Sequence, residues 1–431
     1  MKRQLVPSWS RKIIIRFSRG TINSRTIVIS GLGGVGKTTL ARKFAKRCCE
    51  NFNIIWISAE NENFLKDSFK RLQKTLQDKF PDLNFTQDTN NNNDSEASYG
   101  EIYCFFPKTT LFIFDNADEK SSEDWLPKYM PTAFSEVNDL PGYRKPAIIV
   151  TTRCENLLEA TMAHSLVLKC LEDNEAMELL DKSGLKKNST TEKIELCKCL
   201  QNYPLALQQA TAFLKDTSMT IPDFIQEFDK VSSHLKYKLE TYKADPKYDH
   251  SVFTVWKMTM NKLAKENNIT LDIMYLLAFC SPEKTKLDFF TQIFGKEEGG
   301  SGVDSLKKYS MLSLSRDKKK ISVHRVVQKV VTYELFEEQC SRMAKIAENL
   351  SKLTKGDGYN TMETVWATFV EKMKDFIETK SNQISDGFVT SVEEMCALWY
   401  AHENKGPYEK ILGILLRLYS HTGLPKHIRE R

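Results

Sequence analysis

A glycine-rich segment that ends in lysine and threonine constrains this 431-residue chain more than any other feature. It reads GLGGVGKTT from Gly31 to Thr39 and fits the pattern GxxxxGK[ST]. An apolar run, Thr26–Ser30, precedes it, and a stretch with helical spacing, Lys37–Glu50, follows. This strand–loop–helix context is typical of a P-loop, whose backbone amides hold phosphate oxygens.

Each residue type in the loop suits phosphate binding. Glycine lets the backbone turn tightly and brings its amides against a phosphate. Lys37 is expected to reach the β- and γ-phosphates, and the Thr38 hydroxyl is expected to bind Mg²⁺. We therefore predict a nucleotide-binding site that contains Gly31, Gly33, Gly34, Val35, Gly36, Lys37, Thr38 and Thr39.

Further apolar runs predict that the loop belongs to an α/β domain. Their hydrophobicity is continuous, as in strands buried on both faces of a parallel sheet. Amphipathic stretches such as Asn63–Gln77 lie between them and give the βαβ rhythm of a doubly wound fold. Beyond Thr26–Ser30, the predicted strands are Asn53–Ser58, Thr110–Phe114, Ala147–Thr151 and Ser165–Leu168.

Two of these strands end in residues that suit phosphate chemistry. Asp115 follows a buried run, at the position where P-loop proteins hold Mg²⁺, usually through a water. Arg153 ends another strand, where a guanidinium can contact a γ-phosphate, although the sequence equally allows a surface ion pair. The candidate catalytic residues are Asp115, Asp118 and Arg153, and the candidate metal ligands are Thr38 and Asp115.

Beyond Leu171 helical spacing replaces the strand rhythm, with Pro204 and Pro222 as helix breakers. Two short alternating runs, Met311–Ser315 and Lys320–Val323, predict a hairpin, and helices followed by a hairpin suggest a winged-helix unit. The predicted fold class is α/β, a P-loop parallel sheet followed by helical and winged-helix subdomains and an α-helical C-terminal region. The expected parts are an N-terminal segment (1–24), the α/β domain (25–170, with a disordered insertion at 81–100), a helical subdomain (171–245), a winged-helix subdomain (246–335) and a helical tail (336–431).

Bulk properties argue against several kinds of partner. The net charge of +6 is too mild to favour nucleic acid as a partner. No apolar run approaches the length of a membrane span, so no membrane partner is expected. The 10 cysteines are scattered without CxxC pairs, which indicates buried thiols in a reducing cytoplasm.

Taken in order, the motifs resemble the NB-ARC class of signal-transduction NTPases (STAND class), which includes plant resistance proteins and animal apoptosome ATPases. The P-loop is followed by Ile55–Glu60, Leu111–Asp118 and Thr151–Arg153, as in that family. Tyr203–Leu207 is similar to its GLPLAL motif, and Val323–Arg325 stands where the family has Met-His-Asp. The stretches YPLALQQATAFL and ISVHRVVQ are similar to the branch that carries tetratricopeptide repeats.

The resemblance implies an ADP/ATP-binding switch with Mg²⁺, in which nucleotide exchange controls conformation and self-association. It implies that Pro204 packs against the nucleotide and that His324 reaches the β-phosphate of ADP. The C-terminal stretch Leu398–Ile411 resembles part of a tetratricopeptide unit, with Gly406 and Tyr408 at its inter-helix turn. A protein partner is therefore expected at the C-terminal helical region.

The chain also departs from the family pattern. Asn116 replaces the second acid that usually follows the magnesium aspartate, so ATP hydrolysis is expected to be slow or absent. Val323 and Arg325 replace the Met and Asp of the winged-helix motif, and no Gly-Arg motif is recognisable upstream of the P-loop. Two other functions remain open: a P-loop ATPase or kinase whose output is turnover, and a DNA-binding regulator that uses lysines of the winged helix.

Overall fold

The fold comes from a computed structural model, which describes residues 25–81, 96–106, 110–118, 121–134, 146–154, 156–158, 163–240, 249–266, 268–281, 285–315, 317–337, 340–351, 357–380, 384–401 and 405–422. The chain divides after Cys170 into an α/β unit and a helical unit that begins at Leu171. The predicted N-terminal segment 1–24 lies outside the described residues.

Five parallel strands form the sheet of the α/β unit, in the order β2-β3-β4-β1-β5. The predicted strands are confirmed to within one residue at their ends. The strands are β1 (Thr26–Ser30), β2 (Asn53–Ser58), β3 (Thr110–Asp115), β4 (Ala147–Thr152) and β5 (His164–Val167). The helices of this unit are α1 (Lys37–Cys48), α2 (Glu62–Lys79), α3 (Glu96–Phe105) and the short α4 (Ser122–Trp125).

The central strands are buried on both faces, which explains their continuous apolar sequence. All residues of β3 and β4 are buried, whereas the edge strands β2 and β5 alternate in exposure. Within β1, Val28 belongs to the core on one face of the sheet, and Ile27 and Ile29 belong to the core on the other. Helix α1 covers the second face through Leu40 and Phe44, among others. This two-sided burial fixes the register of the strands whose ends carry the site.

An aromatic cluster on the first face includes a helix that the sequence did not predict. The stretch 81–100 was expected to be disordered, but Glu96–Phe105 is helical and Tyr99 is only 6% exposed. The ring of Tyr103 packs against Phe112, and its hydroxyl donates to the Tyr129 carbonyl at 2.7 Å. These contacts hold α3 on the sheet. Residues 82–95 lie outside the described part of the chain.

The helical unit begins with four helices and continues into helices that flank a small antiparallel sheet. The first helices are α5 (Asp173–Leu180), α6 (Thr190–Cys199), α7 (Pro204–Thr217) and α8 (Ile221–Glu240). Next come α9 (Asp249–Glu266), α10 (Asn268–Leu277), β6 (Thr285–Lys286), α11 (Leu287–Phe294), α12 (Lys296–Lys308), β7 (Leu312–Leu314) and β8 (Lys320–Val323). Strand β8 lies between β6 and β7, and β7 and β8 form the predicted hairpin.

A shared carboxylate ties the first of these helices to those that precede the hairpin. Asp216, near the end of α7, lies 3.5 Å from the ammonium of Lys262 on α9. It also pairs with Lys308, at the end of α12, and with the Tyr309 hydroxyl. Because the carboxylate is almost fully buried, these partners compensate a charge that water solvates poorly.

The remaining helices are α13 (Arg325–Glu337), α14 (Arg342–Ser351), α15 (Asp357–Lys380), α16 (Asp386–Ala401) and α17 (Lys405–Thr422). The expected subdomain boundary at 335 falls inside α13. Gly406 and Tyr408 lie in the first turn of α17, not in the turn between two helices as expected. The Tyr419 hydroxyl bonds Glu393 at 2.6 Å, which fixes α17 against α16.

All ten cysteines are free thiols. Burial raises the pKa of Cys280 to about 12, so this thiol is inert at neutral pH. Among the described residues there is no group of three or more His, Cys, Asp or Glu side chains that could hold a metal ion. No helix in the described ranges is both long and apolar enough to cross a bilayer.

Candidate nucleotide-binding site

The sheet order brings the predicted motifs to one edge. Strands β3, β4 and β1 are adjacent and parallel, so their carboxyl ends lie side by side. The glycine-rich loop follows β1, Asp115 ends β3, and Thr152 ends β4. In open parallel sheets, ligands bind beyond the carboxyl ends of the strands.

The loop backbone requires glycine at its start and again where α1 begins. Gly31 has φ +141°, and a Cβ there would lie 2.3 Å from the Leu168 carbonyl oxygen beyond β5. Gly36, with φ +107°, precedes α1 in a left-handed conformation, and a Cβ there would meet no atom within 4 Å. The amides of Gly36, Lys37 and Thr38 donate no hydrogen bond to another described residue. The first amides of α1 are therefore left unpaired at a helix N-terminus, as an anion site requires.

Lys37 is buried and folded back on its own loop. Its ammonium donates to the Gly31 carbonyl at 2.8 Å and to the Leu32 carbonyl at 2.9 Å. Burial lowers the pKa of Lys37 to about 8, because the charged form is poorly solvated there. The two carbonyls supply only partial charges, so an anion at this position would stabilise the ammonium further.

Two side chains from different elements converge on Asp115, which is 1% exposed. The Thr38 hydroxyl donates to Asp115 Oδ1 at 2.8 Å, and the Thr151 hydroxyl donates to the same oxygen at 2.5 Å. Thr151 Oγ1 also accepts from the Asn116 amide at 2.9 Å. The second oxygen, Asp115 Oδ2, is buried and has no hydrogen-bond partner among the described residues. A carboxylate oxygen in this state is poorly stabilised without a cation or a water.

Asp118 and Arg153 are paired beside this group. The Arg153 amide donates to Asp118 Oδ1 at 2.7 Å, and Arg153 Nε lies 3.1 Å from Oδ2. Asn116 adopts a left-handed φ of +67°, which asparagine tolerates. The resulting turn directs the Asp118 carboxylate toward the end of β4, which Arg153 follows directly. Of the two interpretations that the sequence allowed for Arg153, the ion pair is present, and its partner lies in the site.

The residues fit a nucleotide phosphate with its magnesium ion. Open amides and an ammonium suit phosphate oxygens, while the Thr38 hydroxyl and the unpartnered Asp115 oxygen are hard oxygen ligands of the kind that Mg²⁺ prefers. Two other predicted loop residues contribute less through their side chains. The Val35 side chain is buried in the core, and Thr39 is exposed.

Pro204 and His324 belong to the helical unit. Pro204 is the first residue of α7, where its ring favours the helical φ. Its lack of an N–H loses no hydrogen bond there, because the first N–H groups of a helix have no acceptor within the helix. His324 precedes α13, and its Nδ1 accepts the Val326 amide at 3.2 Å, as an N-cap does. A neutral imidazole that accepts at Nδ1 carries its proton on Nε2 and can donate from there.

Thr151 was missed as a site residue by sequence reasoning. The run Thr151–Arg153 was recognised as a polar strand end, but no role was assigned to the hydroxyl. Finding it requires knowing that β4 lies beside β3, and strand order is not encoded in any local pattern. The signal available was two hydroxyl residues at the end of a fully apolar strand.

The fold and the site together define a P-loop nucleotide-binding protein. Residues 10–190 match the NB-ARC domain family. Over these residues the chain is therefore similar to the NB-ARC (STAND-class) P-loop NTPases, a family of nucleotide-binding signalling proteins.

Two curated relatives are similar to this chain. A nucleotide-binding leucine-rich repeat (NLR)-like protein of Hyaloscypha variabilis is 23% identical over 329 residues, which cover 70% of this chain and 32% of that protein. TMV resistance protein N of Nicotiana glutinosa is 23% identical over 359 residues, covering 80% of this chain and 29% of that protein. The chain thus spans about a third of the length of these relatives.

A solved structure supports the fold. A STAND protein with a tetratricopeptide repeat sensor from Pyrococcus horikoshii superposes with a TM-score of 0.51 at 17% identity. The alignment covers 95% of this chain and 57% of that one. At this identity the similarity establishes the architecture, a P-loop parallel sheet followed by a helical region.

Proposed function

We propose that this chain is a switch that binds ADP or ATP with Mg²⁺ at the P-loop and signals by a change of shape. One observation carries the proposal: Thr38 and Asp115 are hydrogen-bonded at the sheet edge, beside the open amides of the loop and the Lys37 ammonium. The amides and Lys37 would bind the phosphates, while Thr38 and Asp115 would hold the magnesium ion. Bound magnesium would neutralise phosphate charge and fix the orientation of the phosphates.

The residues around Asp115 favour a switch over a turnover enzyme. Asn116 cannot take a proton at neutral pH. The nearest alternative base, Asp118, already uses both carboxylate oxygens on Arg153. Without a positioned base, activation of an attacking water would be inefficient, so hydrolysis should be slow and the bound nucleotide long-lived.

Nucleotide content tests the binding step directly. Protein purified without added nucleotide is denatured, and the released nucleotide is identified by mass spectrometry. We expect adenine nucleotide near one equivalent in the parent and much less in Lys37→Met, which keeps the length and removes the charge. Multiple-turnover phosphate release should be slow. A parent that is empty and that ignores ADP and ATP with magnesium in calorimetry would refute the proposal, and rapid turnover would favour the enzyme alternative.

His324 is proposed to donate from Nε2 to a phosphate of ADP and thereby to stabilise the state that does not self-associate. This role rests on the family motif, so its test must exclude the helix-capping role of the same side chain. His324→Ala removes both roles, whereas His324→Asn keeps an N-cap acceptor and removes the imidazole. If His324 binds phosphate, both variants should raise ATP content and self-association, measured by light scattering. An effect of Ala alone would assign His324 to capping.

A further inference from the structure

In the pair of Asp118 and Arg153, the backbone of both residues and the Asp118 carboxylate are held in place, whereas the Arg153 guanidinium can move. The Asp118 carboxylate is held by a turn in which the Asp118 amide donates to the Asn116 carbonyl at 2.8 Å. The same turn is fixed to β4, because the Ala117 amide donates to the Thr151 carbonyl at 2.9 Å. The Arg153 backbone is held in turn by Asp118 Oδ1 at 2.7 Å. The guanidinium is therefore the component that is free to change partner.

Exposure of the pair allows such an exchange. The side chains of Arg153 and Asp118 are 34% and 20% exposed, so the ion pair is neither sealed in the core nor fully solvated. A partly exposed pair is of modest strength and can be broken by a competing charge. An additional phosphate close by would supply that charge.

The pair also lies within electrostatic range of the lysine that is expected to bind phosphate. Desolvation has the largest effect on the pKa of Lys37, and among charges Asp118 raises that pKa and Arg153 lowers it. Both groups therefore lie close enough to Lys37 to act on a phosphate that this lysine binds.

We propose that the Asp118 carboxylate pairs with the Arg153 guanidinium, which a third phosphate would otherwise contact. Asp118 thereby determines the preference between ADP and ATP. This inference rests on the proposed nucleotide binding. The third phosphate of ATP must displace Asp118 from the guanidinium, and the Asp118 charge repels it. ADP has no such group and leaves the pair intact. Asp118 thus biases the site toward ADP, acting through Arg153.

The proposal is tested by measuring Kd for ADP and for the non-hydrolysable ATP analogue AMP-PNP, both with magnesium, by calorimetry on the full chain. Asp118→Asn keeps an acceptor for the Arg153 amide and removes the charge. We expect the ratio of the ADP Kd to the analogue Kd to rise up to about fivefold, a factor suited to a partly exposed ion pair. The matched control is Asp124→Asn, which removes an exposed carboxylate of α4 in the same unit.

A double-mutant cycle shows whether the effect passes through the arginine. In an Arg153→Gln background, Asp118→Asn should change the ratio much less, because no guanidinium remains to be released. If Asp118→Asn does not fold, Asp118→Ser is the second variant, since its hydroxyl can still accept from the Arg153 amide.

The outcomes separate this inference from the proposed function. If the parent binds neither nucleotide, the proposed function fails. If the parent binds and the Asp118 variants keep its Kd ratio, the inference is overturned. An Asp118 variant that keeps the ratio but loses phosphate release would instead identify Asp118 as a catalytic base.

Discussion

Replacement of Thr151 by valine tests the central hydrogen-bond arrangement of the site. Valine is close to threonine in shape, so the substitution removes the hydroxyl and leaves the packing of β4 unchanged. Two interactions are lost: the bond to the Asp115 carboxylate at 2.5 Å and the bond from the Asn116 amide at 2.9 Å. A hydrogen bond to a charged group contributes about 1.5–3 kcal/mol, and an unpaired buried amide costs about 1–3 kcal/mol. We expect the free energy of unfolding of the α/β unit to fall by about 3 kcal/mol.

Thermal unfolding of the nucleotide-free protein measures this change. For a unit of this size, each kcal/mol shifts Tm by about 2–4 °C, so the loss should be about 6–12 °C. The matched control is Thr110→Val, at the other end of the neighbouring strand β3. Thr110 is fully buried, and its hydroxyl has no hydrogen-bond partner among the described residues, so its removal should be neutral or stabilising. The reasoning is refuted if the two variants have the same Tm.

Two further predictions concern Lys37 and the glycines of α12. Lys37 has a pKa near 8 when folded and an ordinary value of 10.5, so the unfolded chain binds more protons between these pH values and stability rises with pH there. Lys37→Met lacks this gain. In metal-free, nucleotide-free protein, its free energy of unfolding relative to that of the parent should therefore fall by up to about 3 kcal/mol from pH 7 to 10.5. Chemical denaturation measures this difference, and a difference that does not change with pH would contradict the prediction. Gly300→Ala should stabilise α12 by about 1 kcal/mol because its Cβ meets no atom within 4 Å. Gly299→Ala should destabilise because its Cβ would lie 2.8 Å from the Phe290 carbonyl oxygen, and thermal unfolding with equal Tm for both would refute the packing argument.

The sequence predicted those parts of the fold that depend on local pattern. Strands β1 and β2 were predicted with the observed bounds, because a continuous apolar run between turn signals restricts where a strand can begin and end. Helix α3 was missed, since the polar run before it masked Tyr99 and Tyr103, whose burial depends on the aromatic side chains of distant elements.

The same distinction applies to the site. The P-loop is a contiguous segment, and the roles of its glycines and its lysine follow from their spacing in the sequence. It could therefore be identified without a structure. The bond between Thr151 and Asp115 and the pair of Asp118 with Arg153 join residues 35 or 36 positions apart. Such contacts follow from strand order and register, which the sequence pattern does not specify.

The junction between β3 and β4 has a consequence for how the protein loses function. Thr151, Thr152 and Arg153 are consecutive, and they bond in turn to Asp115, Ala117 and Asp118. Slippage of one strand end by a single residue would disconnect all three contacts together, so intermediate geometries have little to stabilise them. Partial damage by heat or storage should accordingly yield two populations, intact molecules and inactive ones. A titration of such a sample would show reduced stoichiometry at an unchanged Kd.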